Sequence, residues 1–199
     1  MHKISVISLS LIICSQAMAA DLNCWELGQK ELKMAESEPM PGAARKEAYQ
    51  KAQDYFICAA KLRTFEAGYR AAALSDKGLA RKLDLETTER YYREASLGGN
   101  KNASLAMATL VCGGDTGTCK APLEAKKWLI KATRQGSADA TQLLAVHYEK
   151  GDGEPADIKR AAACYKLAEE RGNSWAHQNY LRLNPGQQTL DSSDCTAGQ

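Results

Sequence analysis

Residues 140–172 read ATQLLAVHYEKGDGEPADIKRAAACYKLAEERG. Ala140, Leu144, Ala145 and Tyr148 recur at helical spacing and fall on one face. Gly151 to Pro155 interrupt the pattern, because glycine tolerates positive φ and proline cannot continue a helix. Asp157 is placed to cap a second helix, whose buried stripe is Ala161, Cys164, Tyr165 and Ala168. Gly172 ends that helix, so the stretch predicts helix, turn, helix.

The unit recurs upstream with a period of 36 to 37 residues. Tyr91-Tyr92 to Gly99 aligns with Trp128-Leu129 to Gly136 and with Cys164-Tyr165 to Gly172. Four positions after these glycines stand Ala103, Ala140 and Ala176, and Ala67 begins the series. Three units are predicted, at about 67–99, 103–136 and 140–172. A capping hairpin at 21–64 precedes them, a capping helix at 173–183 follows, and 187–199 is a polar tail. In the hairpin, Leu22, Trp25, Leu27 and Leu32 are candidate core residues of the first helix, and Ala48, Ala52, Tyr55, Ala59 and Leu62 of the second. No unit can bury its apolar face alone, but stacked neighbours can.

The 199 residues are 44% hydrophobic and 25% charged, which suits a globular chain and excludes a disordered one. The formal charge of +2 is too small to hold nucleic acid or an anionic membrane by its field. Met1 to Ala19 reads as a signal peptide: Lys3 supplies the positive region, residues 4–14 the apolar run, and Ala17-Met18-Ala19 the cleavage site. No later run is long enough to span a bilayer, so a periplasmic or secreted protein with no membrane insertion is expected after cleavage.

Six cysteines then remain, Cys24, Cys58, Cys112, Cys119, Cys164 and Cys195, and an exported chain meets an oxidising compartment. They allow 15 pairings. Cys112 and Cys119 bracket the flexible run 113–118, Cys24 and Cys58 meet if their helices pack antiparallel, and Cys164 with Cys195 ties the tail to the body. No C-x-x-C pair and no suitable histidine spacing occurs, so no metal, cofactor or redox role is expected. His147 and His177 read as surface or groove residues, Gly151-x-Gly153 as a turn, and no nucleophile–base motif or phosphate loop stands in a fitting context.

The alanine, glycine and tyrosine pattern resembles the Sel-one-like repeat family, a subclass of the tetratricopeptide-like proteins. Residues 140–172 carry it through Ala140, Leu144, Ala145, Tyr148, Gly151, Gly153, Asp157, Ala161, Tyr165, Ala168 and Gly172. Residues 103–136 carry it through Ala103, Met107, Ala108, Gly114, Ala125, Trp128, Lys131, Ala132 and Gly136, with a turn one residue longer. Residues 67–99 are degenerate before Tyr91. The resemblance implies an all-α, right-handed α-solenoid of antiparallel hairpins over residues 20–186, here stapled by disulfides. It also implies that the first helix of each unit lines a concave side. The corresponding offsets give Tyr69, Leu105, Thr109, Gln142, Val146, Glu149, Trp175, Gln178 and Arg182, with Glu66, Asp76, Lys77, Asn102 and Lys150 around them. Tyr69, Leu105, Val146 and Trp175 are apolar or aromatic there, the makings of a protein-binding surface.

Members of that family include adaptors, virulence factors and exported immunity proteins against secreted antibacterial effectors. The function this implies is non-enzymatic binding of a protein partner, an effector or an envelope component. Cysteine-rich exported members bind or weakly hydrolyse β-lactams, which gives an alternative with peptidoglycan-type ligands. This chain departs from those members in its cysteine placement and has no Ser-x-x-Lys pair.

Overall fold

The computed structural model describes residues 23–37, 39–113, 119–186 and 188–197. The expected signal peptide, its cleavage site, Leu22 and the loop 114–118 lie outside them. The chain is all-α, with no strand among the described residues. Its helices are α1 (23–36), α2 (Gly42–Lys61), α3 (Phe65–Asp76), α4 (Leu85–Leu97), α5 (Lys101–Cys112), α6 (Pro122–Arg134), α7 (Ala138–Lys150), α8 (Ile158–Glu170) and α9 (Ser174–Leu183). A 3-10 turn, Ser192–Thr196, follows. The chain forms two compact units that meet in sequence at Gly98 and Gly99.

In the first unit α1 packs on α2, α2 on α3 and α3 on α4. Cys24 and Cys58 are bonded across α1 and α2. Phe56 is fully buried, 5.5 Å from the Trp25 ring. Gly28 admits it, because a Cβ at that position would stand 2.7 Å from the Phe56 ring. The buried Gln53 amide donates to the carbonyls of Ala71, at 3.2 Å, and Arg81, at 2.8 Å, tying α2 to α3 and to the turn beyond it. The Tyr92 hydroxyl donates to Asp76, closing the α3–α4 hairpin.

In the second unit each helix from α5 to α9 packs on its neighbour in the chain. The repeat's spacing has a local cause. Gly136 and Gly172 adopt φ of 86° and 91°, the left-handed region that ends a helix. The next residue, Ser137 or Asn173, caps the following helix, and its side chain accepts the backbone N–H of Ala140 or Ala176. Asn100 does the same for Ala103. Each signature alanine therefore sits in the first turn of its helix and is completely buried. Asp157 caps α8 through the N–H of Arg160.

The tail is docked rather than hanging. Cys195 is bonded to Cys164, both fully buried. Leu190 is only 7% exposed, and its carbonyl accepts the Lys166 ammonium at 2.6 Å.

Candidate functional site

The apolar stripe of α7 leaves its opposite face available. Ala140, Thr141, Leu144, Ala145, His147 and Tyr148 are buried, whereas Leu143 is 42% exposed and Val146 is half-buried. Three of the polar residues expected on this face, Gln142, Glu149 and Arg182, are already hydrogen-bonded. Asn173, the cap of α9, donates to Gln142 at 2.6 Å and to Asp139 at 3.3 Å. Arg182 of α9 donates to Glu149 at 2.6 Å and to Asn179 at 3.2 Å. Glu149 also accepts the Tyr165 hydroxyl at 3.0 Å. Burial, followed by that carboxylate, pushes the phenol's pKa well above its ordinary value. These bonds register α9 on α7 and leave Trp175, 61% exposed, and Gln178 facing water.

Thr109 and Val146 meet in a cavity of about 230 Å³. It is bounded by Ala108, Cys112 and its partner Cys119, Ala125 and Leu129 on the α5–α6 side, and by Leu143, His147 and Asp152 on the other. Leu105 is half-buried against the core cluster beneath, and its carbonyl accepts the Thr109 hydroxyl at 3.3 Å. Tyr69 belongs to the first unit, where its ring lies 5.9 Å from Tyr92 and lines a smaller cavity with Leu32 and Lys77. There Glu66 pairs with Arg70. Lys77, Asn102 and Lys150 are exposed.

The cavity has an origin in the repeat. Nine residues after the signature alanine, the flanking units place Asp76 and Glu149. Each accepts the hydroxyl of a tyrosine sixteen residues on, Tyr92 or Tyr165. The middle unit has Cys112 in place of the carboxylate and, seventeen residues on because its turn is one residue longer, Leu129 in place of the tyrosine, seven before the closing glycine as in the other units. Leucine is shorter than tyrosine, and the cysteine is drawn into a disulfide with Cys119. Both residues line the cavity. The sequence reading missed this, although comparing the three units column by column carries the signal.

The electrostatics of the rim are one-sided. His147 is 6% exposed, and its Nε2 is buried with no hydrogen-bond partner among the described residues. Burial lowers its pKa below the ordinary imidazole value, against the opposing pull of Asp152 and Glu154 and with a further push from Lys126. The ring is therefore neutral at pH 7, and its Nδ1 lies 3.8 Å from Asp152. Lys126 is already matched by Glu154 at 2.5 Å. Asp152, with its side chain 45% exposed, thus presents at the cavity a carboxylate that no described lysine or arginine pairs with. Among the described residues no group of histidine, cysteine or carboxylate side chains is arranged to hold a metal, and no helix is long and apolar enough to cross a membrane.

Helical hairpins repeating every 36 to 37 residues, with a buried alanine in the first turn of each first helix, define a helical-repeat fold of the Sel-one-like type. Solved structures share this fold. A Sel1 repeat protein from Oxalobacter formigenes matches with a TM-score of 0.67 at 20% identity, over 88% of this chain and 69% of its own. A protective antigen of uropathogenic Escherichia coli displaying an SLR fold matches with a TM-score of 0.68 at 23% identity, over 89% of this chain. This chain spans 36% of that antigen's length. At such identities the likeness is one of fold. No family model and no curated protein matches the chain.

Proposed function

We propose that this chain is a non-enzymatic scaffold of the periplasm or the extracellular space that binds another protein through the α5, α7 and α9 face of its second unit. The observation that carries the reading is the exposure of Leu143, on the first helix of its repeat at the lining of an apolar cavity, and of Trp175 on the capping helix α9. Large apolar anchors with a polar rim supply most of the energy of protein docking, and the rim here is the bonded set Gln142, Asn173, Glu149 and Arg182. Three disulfides suit an oxidising compartment, in keeping with the export expected from residues 1–19. Within that reading, the resemblance favours an immunity protein for a secreted antibacterial effector or an adaptor of the cell envelope. An adjacent effector gene is the mark of the first, an envelope operon of the second.

The test is affinity capture from envelope extract of the native cell, quantified for the unaltered chain and two double variants. Leu143→Ala with Trp175→Ala is expected to release the captured partner. Leu123→Ala with Ile158→Ala, exposed residues on second helices, is expected to retain it. Equal capture by both variants refutes the assignment of the face.

A further inference from the structure

Building on that reading, we infer that the cavity of the middle repeat is a socket for a single large apolar side chain of the partner, one flanked in the partner's sequence by Lys or Arg that meets Asp152. Three observations converge on this occupant. The first is size: about 230 Å³ lies below the roughly 300–1,000 Å³ of sites that enclose a drug-sized ligand, and suits one side chain such as Leu, Met or Phe. The second is origin. Cys112 and Leu129, which stand where the flanking units have their carboxylate–tyrosine pair, both line the socket, so it is shaped by what is particular to this unit.

The third is charge. Asp152 lines the cavity with a half-exposed carboxylate, and among the described residues the His147 imidazole is its one ion-pair neighbour, Glu154 having matched Lys126. Lys120 lies beside Gly113, outside the described lining. A cation next to the inserted apolar side chain completes the pair, while an acidic neighbour is repelled. Such electrostatic matching sets orientation and selects against wrong partners.

The probe is a library of phage-displayed random peptides, panned on the full chain with its disulfides formed. Peptides sharing Leu, Met or Phe beside Lys or Arg are expected to be enriched. Leu129→Tyr restores the flanking repeats' side chain and is expected to weaken the enriched peptides at least tenfold. Asp152→Lys, at a half-exposed position, is expected to keep the apolar preference and lose the basic one. Thr109→Trp, exposed on α5 at the cavity wall, serves the steric arm if Leu129→Tyr fails to fold. Absence of enrichment, enrichment of peptides without this pairing, or unchanged binding by the filled variant overturns the socket. Envelope capture that depends on Trp175 but ignores Leu129→Tyr removes the socket and leaves the scaffold reading standing.

Discussion

The second unit contains two disulfides of very different span, and their removal provides a graded test of how it is held together. Cys164 and Cys195 are 31 residues apart, Cys112 and Cys119 only 7. Loop-closure entropy in the unfolded chain gives about 3.7 kcal/mol for the long bridge and about 2.5 kcal/mol for the short one. The long bridge also holds the docked tail, through the burial of Leu190 and the Lys166 bond to its carbonyl. Cys164→Ala with Cys195→Ala therefore loses the larger constraint and releases residues 184–197, while Cys112→Ala with Cys119→Ala loses only the smaller one. Urea unfolding of both variants, followed by limited proteolysis, reads the two effects. The long-bridge variant is expected to unfold at the lower urea concentration and to be cleaved in its tail under native conditions. A short-bridge variant that is equally destabilised, or a long-bridge variant whose tail stays resistant, refutes the reasoning.

Other outcomes follow from the same contacts. His147 binds a proton less readily folded than unfolded, so stability is full above the ordinary imidazole value of 6.5 and falls as pH drops below it. Urea midpoints between pH 7.5 and 5 are expected to show this fall, and His147→Leu to flatten it. Tyr165→Phe removes a hydrogen bond to the Glu149 carboxylate and is expected to cost about 1–2 kcal/mol in chemical denaturation. An unchanged midpoint would place that bond outside the energetics of the hairpin. Gly28→Ala forces a methyl against the Phe56 ring, with an expected loss of about 1–3 kcal/mol in the first unit, read by the Trp25 fluorescence transition.

Much of the fold is written in short-range chemistry, which is why the sequence displays it. Gly136 and Gly172 stop helices by turning left-handed, and Ser137 and Asn173 start the next ones by capping. These are interactions within four residues, so a single chain reveals them by repetition. The hairpin of α1 and α2 was less legible. The alanine stripe points to Ala48, Ala52 and Ala59, all buried, but Phe56 and Gln53 lie at its centre, while Tyr55 and Leu62 are half-buried. The buried face extends from the expected alanines toward Gln53 and Phe56, where Gly28 opposite leaves space for the ring. Leu190 was hidden for another reason: one apolar residue in a polar tail carries no periodicity, and only its closeness to the Cys195 anchor buries it.

The candidate site was half legible for a related cause. Offsets from the signature alanine locate Thr109 and Val146 in the cavity wall, and Gln142, Glu149 and Arg182 in the bonded rim. They do not foretell that those polar groups bond one another. Nor do they foretell that a tyrosine replaced by Leu129 leaves room for a guest. His147 read as a surface or groove residue, yet its side chain is buried at the cavity edge, since helical position alone does not say how closely α5 and the turn after α7 approach.

The docking face is tested most directly by photo-crosslinking in the native cell, with a benzophenone amino acid placed at Leu143, Trp175, Leu123 or Ile158 in turn. The account predicts one shared protein adduct from the first two positions and none from the last two. Adducts from Leu123 and Ile158 with none from Leu143 and Trp175 would contradict it.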